Sequence, residues 1–419
     1  MFCVLLFQSA IRIPQSEIRM VFNHLAEILQ PCPQEEFIAS SWGKTFKHVR
    51  GWPGKFKHLL PWEQLNRILE QHRLDFPRLR LTRDGQSLPA NMYLRHTTGG
   101  RRKTSIPRLQ TEKLTETLRE GATLVLDAVD ELFEPLTELA EGLELFFHEH
   151  IQINSYAGWR TSRGFDLHWD DHDVFILQVT GRKRWRVYGM TRPYPLVSDI
   201  EQAEKPLSDH PLWEETLSDG DLLYIPRGFW HVAFPMDEPT LHLTVGVHNR
   251  TGLDLLRWVA ERMRASEIFR QDLPRYGDAS ERAAHIAELR RELLAELDND
   301  ALDRYFKDLD ATAEARPRIC LPWSATPSVL PDAGETTVRL AAPRPLNLRV
   351  ENGVIEFSCL KKRWRFAADA LQILRALAER RKCSVAELCE AAKDVLEEET
   401  VRAFLKELLL QGLLVVVRE

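Results

Sequence analysis

The chain has 419 residues, 44% hydrophobic and 28% charged, with a formal net charge of −6 at pH 7. That length exceeds one ordinary core and predicts two or three domains at roughly 150 residues each. The composition is that of a soluble globular protein, and the negative balance disfavours nucleic acid as a partner attracted by overall charge.

Six cysteines, Cys3, Cys32, Cys320, Cys359, Cys383 and Cys389, are scattered without CxxC spacing. Neither a cysteine zinc site nor a disulfide framework is indicated, and a reducing cytoplasm is the expected compartment. Met1 to Phe7 is apolar but far short of a membrane span and lacks a basic flank, so no targeting segment or membrane partner is expected. A more ordinary amphipathic run begins at Met20 and covers Val21 to Leu29, which makes residues 1–19 read as an extension.

Residues 20–120 mix short helical patterns with loops. Helical spacing is expected at Glu36 to Trp42 and again from Pro61 to Leu69, where positions 62, 65, 68 and 69 are apolar. Thr97 to Thr104 is glycine-rich and basic but lacks the GxxxxGK[ST] order of a phosphate loop, so it reads as a solvated loop. From Gly121 the texture turns β-rich, with one helix at Pro135 to His148. Strands are expected at Gln152 to Tyr156, His172 to Val179, Arg184 to Tyr188, Asp221 to Ile225 and Leu241 to Val247. Short strands separated by turn signals predict an antiparallel jelly-roll structure. Met190 to Trp213 is the longest irregular stretch, the kind of connection that forms a lid or binding loop.

Helices follow at Leu253 to Met263 and Ser280 to Leu297, the second with Ser280 as its expected N-cap. Its apolar stripe, Ile286, Leu289, Leu293, Leu294 and Leu297, suits packing within the chain or against a second subunit. Strands at Val338 to Leu340 and Leu348 to Phe357 carry the hairpin signal Glu351-Asn352-Gly353. Helices at Ala368 to Glu379, from the Ser384 to Glu387 capping box, and at Glu397 to Leu410 precede a strand at Leu413 to Val417, a winged-helix pattern. The third of these helices carries Glu397, Glu398, Glu399 and Glu407 against Arg402 and Lys406, which disfavours direct DNA binding.

The chemistry concentrates in His168-Trp169-Asp170 and in His231, which follows the apolar run Leu222 to Ile225 and the turn Pro226-Arg227-Gly228. Residues two apart on extended chain project to one face, so His168 and Asp170 can meet one ion. A lone His-x-Asp arises often by chance; His231, rigidly placed past its turn, raises the case for a metal, with His172, His242 and His248 as competitors. Two imidazoles and a carboxylate suit a non-haem Fe(II) with open positions, and equally a hydrolytic zinc. In Gly181 to Val187, alternation puts Lys183, Trp185 and Val187 on one face and Arg182, Arg184 and Arg186 on the other. A lysine on an apolar inward face calls for an anion, and the distal carboxylate of 2-oxoglutarate would supply one; a solvated basic strand is the alternative.

Taken in order, Asn154-Ser155-Tyr156, His168 to Gln178, Gly181 to Tyr188 and Gly220 to His231 resemble the motifs of the JmjC-type ribosomal oxygenase (cupin-4) family. The resemblance is densest over residues 120–250. It implies an α+β multidomain chain: a JmjC double-stranded β-helix of the jelly-roll/cupin type, a helical dimerisation region and a C-terminal winged helix. The corresponding boundaries are 1–120 for an N-terminal mixed segment packing on the barrel, 121–250 for the catalytic core, 251–330 for the helical region and 331–419 for the winged helix. By resemblance His168, Asp170 and His231 bind Fe(II), Lys183 binds the distal carboxylate of 2-oxoglutarate, and Asn154, Tyr156 and Thr244 match positions lining the co-substrate pocket.

The implied activity is O2-dependent hydroxylation of a protein side chain with Fe(II) and 2-oxoglutarate, the partner being a basic ribosomal protein and the enzyme a homodimer. Hydroxylation of a peptide or small molecule, lysine demethylation with the same cofactors, and a non-catalytic metal-binding regulator are the alternatives. Ala157 to Leu167 departs from the proline-bearing segment common in the ribosomal enzymes, which bears on the substrate rather than on the cofactors.

Overall fold

A computed structural model describes residues 24–99, 104–202, 204–206, 210–326, 330 and 336–417. The expectation for residues 1–19 lies outside them, as do residues 100–103 of the glycine-rich loop, whose flanks Leu94–Gly99 and Thr104–Leu109 pair as a hairpin. The described chain divides into two compact units, residues 23–249 and 250–419.

The first unit is built on thirteen strands among its described residues. In chain order they are β1 (Lys47–Val49), β2 (Leu79–Arg83), β3 (Gln86–Ser87), β4 (Leu94–Gly99), β5 (Thr104–Leu109), β6 (Thr123–Leu126), β7 (Ile151–Gly158), β8 (Asp173–Thr180), β9 (Lys183–Val187), β10 (Trp213–Leu217), β11 (Leu222–Ile225), β12 (His231–Pro235) and β13 (Thr240–Val247). An eight-stranded sheet runs β1-β11-β8-β13-β7-β6-β2-β3, and a three-stranded sheet runs β10-β9-β12, with antiparallel pairing in both.

Period-two alternation decides what each face does. Ile153, Ala157, Phe175, Leu177, Leu243 and Val245 pack with helical residues such as Leu25, Phe37, Leu65 and Leu139 on the outer face of the large sheet. Val174, Ile176, Leu223 and Ile225 turn the other way and pack with Trp185, Val187 and Leu217 of the small sheet. Each fully buried aliphatic side chain contributes about 1.5–3 kcal/mol, so the two faces together hold the sheets in register and leave the inner face to carry the polar exceptions.

β10 and β12 were not expected from the sequence. Trp-Glu-Glu-Thr-Leu of β10 has only Leu217 fully buried, so its apolar periodicity is faint. β12 begins directly at His231, which opens a strand of its own paired to β9 and does not end the preceding one. Gly220, at the turn into β11, sits at φ +92 with Trp52 O where a Cβ would stand, so only glycine admits this close approach of the N-terminal segment.

In the second unit, helices Gly252–Met263, Ala279–Glu296 and Ala301–Thr312 precede a strand Thr337–Leu340, a three-stranded sheet (Arg349–Glu351, Val354–Cys359, Lys362–Ala367), and helices Leu371–Arg380, Val385–Ala392 and Glu398–Leu410 closed by a strand Leu414–Val416. The second helix is capped at Asp278 and not at Ser280: Asp278 Oδ1 accepts from Glu281 N at 2.9 Å while Glu281 Oε2 accepts from Asp278 N at 2.9 Å. This reciprocal box satisfies two otherwise orphaned amides, which Ser280, two residues further in, could not do. The Asn352-Gly353 hairpin has both residues at positive φ, 51 and 76, as a two-residue turn between twisted strands requires. The Ser384–Glu387 capping box is also present.

Candidate metal centre

His168 and His231 sit opposite each other in an isolated antiparallel bridge, His231 N donating to His168 O at 2.7 Å and His168 N to His231 O at 3.2 Å. That bridge brings two imidazoles from distant parts of the sequence to a ring separation of 4.4 Å. Asp170 is fastened to the same turn, its carbonyl accepting from Gly228 N at 3.0 Å. One ligand atom from each of His168, Asp170 and His231 lies within 4.8 Å of the other two.

The imidazoles are oriented for coordination. His168 Nδ1 is 2.8 Å from Asp166 O, and His231 Nδ1 is 3.0 Å from Phe229 O. A carbonyl can only accept, so each Nδ1 carries the hydrogen and each Nε2 is left with its lone pair. Those Nε2 atoms face Asp170, at 3.9 Å from Oδ1 for His168 and 3.5 Å from Oδ2 for His231.

Burial holds the His231 imidazole down to about 4, the charge of His168 adding to this, so it is neutral and ready to donate at physiological pH. Burial opposes the charge on Asp170, but the surrounding His231, His168 and His172 outweigh it and keep the carboxyl below its ordinary range. A divalent cation would be met by two imidazole nitrogens and one carboxylate.

The turn carrying His231 is held by a residue that motif reading did not single out. Asp173, buried at the start of β8, accepts from Arg227 N at 2.9 Å, Tyr224 Oη at 2.7 Å and Asn249 Nδ2 at 3.1 Å. It ties the Pro226-Arg227-Gly228 turn to the segment that carries Asp170. Each such bond to a charged acceptor contributes about 1.5–3 kcal/mol, enough to fix ligand spacing.

Lys183 is on the inner face, as the alternation requires: Lys183, Trp185 and Val187 are buried while Arg184 is exposed and Arg186 half-buried. Its side chain is 6% exposed, and its ammonium has no hydrogen bond or ion pair among the described residues, lying 5.7 Å from the Trp185 ring. Burial alone pushes it down to about 7. Such a group is costly to keep unless an anion joins it.

Tyr156 and His242 are register partners on β7 and β13, stacked at 4.9 Å and 8°. Thr244, half-buried, is the register partner of Asn154. Asn154 Oδ1 is occupied by Ala128 N at 2.9 Å and Gln152 Nε2 at 3.0 Å, so the residue braces its neighbours while facing the interior. Burial raises the Tyr156 phenol, which stays protonated.

His242, a competing metal ligand by sequence, belongs to neither ligand cluster among the described residues and lines the inner face instead. It is 2% exposed, its Nδ1 has no hydrogen-bond partner, and it stands edge-on to Trp185 at 5.6 Å. Burial, followed by the charge of Lys183, holds it well below the ordinary imidazole range, so it is neutral. The signal was available: in Leu241 to Val247 the polar positions 242 and 244 alternate with apolar 241, 243, 245 and 247, which puts His242 beside Thr244 on the inner face.

The model of the JmjC domain matches residues 130–255. Among curated proteins, the bifunctional lysine-specific demethylase and histidyl-hydroxylase NO66 of Drosophila pseudoobscura pseudoobscura is 28% identical over 250 residues, covering 56% of this chain and 24% of that protein. NO66 of Drosophila melanogaster is 30% identical over 234 residues, covering 53% of this chain and 33% of that protein. The chain thus matches only a quarter to a third of the length of these relatives. Among solved structures, the Escherichia coli ribosomal oxygenase YcfD aligns at a TM-score of 0.56 and 18% identity, covering 92% of this chain and 98% of that one. The same protein in complex with cobalt and 2-oxoglutarate aligns at 0.55. The structural likeness concerns the fold. Residues 130–255 match the JmjC domain, and the chain resembles the fold of that oxygenase.

Proposed function

We propose that this chain is a 2-oxoglutarate- and Fe(II)-dependent oxygenase that hydroxylates a side chain of a protein, a ribosomal protein being the substrate class. The observation that carries the reading is the buried ammonium of Lys183, without an anionic partner among the described residues, on the inner face that also carries His231. A hydrolytic zinc centre does not itself require such a cation; a dicarboxylate co-substrate does. When bound, Fe(II) and 2-oxoglutarate would supply oxidative chemistry in which O2 converts the co-substrate to succinate and CO2 and a substrate C–H bond to C–OH.

The residues divide that work. His168 and His231 present Nε2 atoms already aligned by their Nδ1 bonds, and Asp170 supplies the charge that offsets the cation. Lys183 takes the distal carboxylate. His242, neutral and able to donate one hydrogen, takes its second oxygen, with Tyr156, Asn154 and Thr244 shaping the wall. An unmet buried donor costs about 1–3 kcal/mol. His242→Ala should therefore raise the KM for 2-oxoglutarate by roughly 5- to 150-fold at about 1.4 kcal/mol per tenfold while leaving Fe(II) affinity unchanged. Co-substrate titration beside metal titration checks both halves.

The names of the two relatives, ribosomal oxygenase and histidyl-hydroxylase, support a protein substrate, and the net charge of −6 suits a basic one. The lysine-specific demethylase activity named for NO66 would use the same site. The substrate test is a mass survey of ribosomal proteins from cells with and without the gene. One protein lighter by about 16 Da in the mutant supports the reading; identical masses throughout count against a ribosomal target.

Residues 251–330 form the dimerisation region in this reading. The helix Ala279–Glu296 has no fully buried side chain, and Ile286 and Leu294 are 61% and 58% exposed. Residues 331–419 form the winged-helix domain, with direct DNA contact disfavoured because Arg402 is already paired with Glu398 at 2.8 Å. Among the described residues no helix is long and apolar enough to cross a membrane. A cytoplasmic location completes the proposal.

A further inference from the structure

We propose that Asp171, His172 and His248 form a second metal site, for a divalent transition ion of the zinc class, distinct from the His168, Asp170 and His231 centre. β8 and β13 are antiparallel neighbours, and their last register pair is Asp173 with Val247. One step further out, residue 172 comes opposite residue 248, so both histidines stand on the same face at the ends of the two strands. Their rings are 4.2 Å apart. His172 Nδ1 is 2.9 Å from Asp171 Oδ1, and one ligand atom from each of the three residues lies within 4.8 Å of the others.

Metal–ligand bonds of about 2.0–2.2 Å at tetrahedral angles separate ligand atoms by roughly 3.3 Å. Ligand atoms that lie within 4.8 Å of one another must close by at most about 1.5 Å to reach that spacing. The Asp171 to His172 separation is already near it.

The backbone is adapted to this arrangement. A Cβ on Gly246 would lie 2.9 Å from His172 Cδ2 and 3.0 Å from its Nε2. Glycine at 246 is what lets the imidazole lie against β13 and turn Nδ1 toward Asp171. His172 and Asp171 are half-buried while His248 is exposed, so the site is anchored on one side and open to water on the other.

Two imidazoles and one carboxylate suit zinc with a water in the fourth position; an oxygen-preferring ion such as Mg2+ or Ca2+ would find too few oxygens. Consecutive carboxylates, Asp170 and Asp171, then serve different ions. A filled second site clasps the start of β8 to the end of β13 and restrains the segment that carries Asp170.

The test uses the full chain, stripped with chelator and titrated with Zn(II) against a chromophoric competitor, with bound metal counted by mass spectrometry. The wild type should take up two equivalents in the micromolar range, His248→Ala one, the double variant His168→Ala/His231→Ala one, and the three changes combined none. His172→Asn, whose folding is checked by circular dichroism, should match His248→Ala. Zn(II) should raise the melting temperature of the double variant but not that of the triple. A single equivalent lost with the double variant overturns the proposal. So does a second equivalent that survives both His248→Ala and His172→Asn, or that binds only at millimolar Zn(II) as an adventitious ion. None of these readouts depends on oxygenase activity.

Discussion

Lys183→Met should abolish productive use of 2-oxoglutarate while making the unliganded protein more stable. Removing one partner of a buried charge pair costs about 2–5 kcal/mol, which predicts a loss of roughly 30- to 5000-fold in co-substrate affinity at about 1.4 kcal/mol per tenfold. The stability effect has the opposite sign because in the unliganded chain the ammonium is buried with no anion to offset it.

The same physics gives a pH dependence. The unfolded lysine titrates near 10.4 and the folded one at about 7. Between those values the unfolded state binds more protons, so stability rises with pH across that window. Below about 7 both states are charged and the full penalty persists; above the window both are neutral and it vanishes. The gain from this one group is on the order of 4 kcal/mol at full extent. Thermal melts at pH 6.5 to 10 should show the rise in wild type, its loss in Lys183→Met, and its attenuation when 2-oxoglutarate restores a partner to the charge. A lysine that merely reaches solvent would give a flat profile and a co-substrate affinity indifferent to substitution.

Asp170→Asn and His231→Ala should each eliminate metal-dependent turnover without unfolding the chain. Even groups that only hydrogen-bond to a ligand cost about 10- to 100-fold in metal affinity when lost, so removal of a ligand should cost more. Asp170→Asn removes the only anion of the triad while keeping the backbone bond from Gly228 N to the residue 170 carbonyl. Its circular dichroism should match wild type while Fe(II) binding drops below detection. His231→Ala removes a nitrogen that burial already holds neutral. Activity retained within a few fold in either variant would mean that the ion sits elsewhere.

The chemistry was more legible in the sequence than the architecture around it. His168 and Asp170 announce themselves because residues two apart share a face, and Lys183 because a cation interrupts an apolar alternation. β7, β8, β11 and β13 were readable as apolar runs bounded by glycine and proline. β10 was not, since a strand with only Leu217 fully buried leaves no period-two pattern.

His168 and His231 were legible as members of one ligand set, but the backbone bridge that joins them was not. It links segments more than sixty residues apart, and no local propensity encodes such a contact. Asp173 was obscured by its acidic neighbours Asp170 and Asp171; only the fold reveals that it alone collects Arg227 N, Tyr224 Oη and Asn249 Nδ2. Ser280 lost the N-cap to Asp278 for a local reason, the reciprocal bond with Glu281, which a closer reading of that one turn would have caught.

The most direct test is aerobic incubation of the full chain with Fe(II), 2-oxoglutarate and a ribosomal protein extract, with succinate quantified against a His168→Ala control. The account predicts succinate above the control, dependent on Fe(II), increased by the extract and lost in Lys183→Met. Succinate no higher than the control, with the wild-type protein folded and loaded with Fe(II), would contradict it.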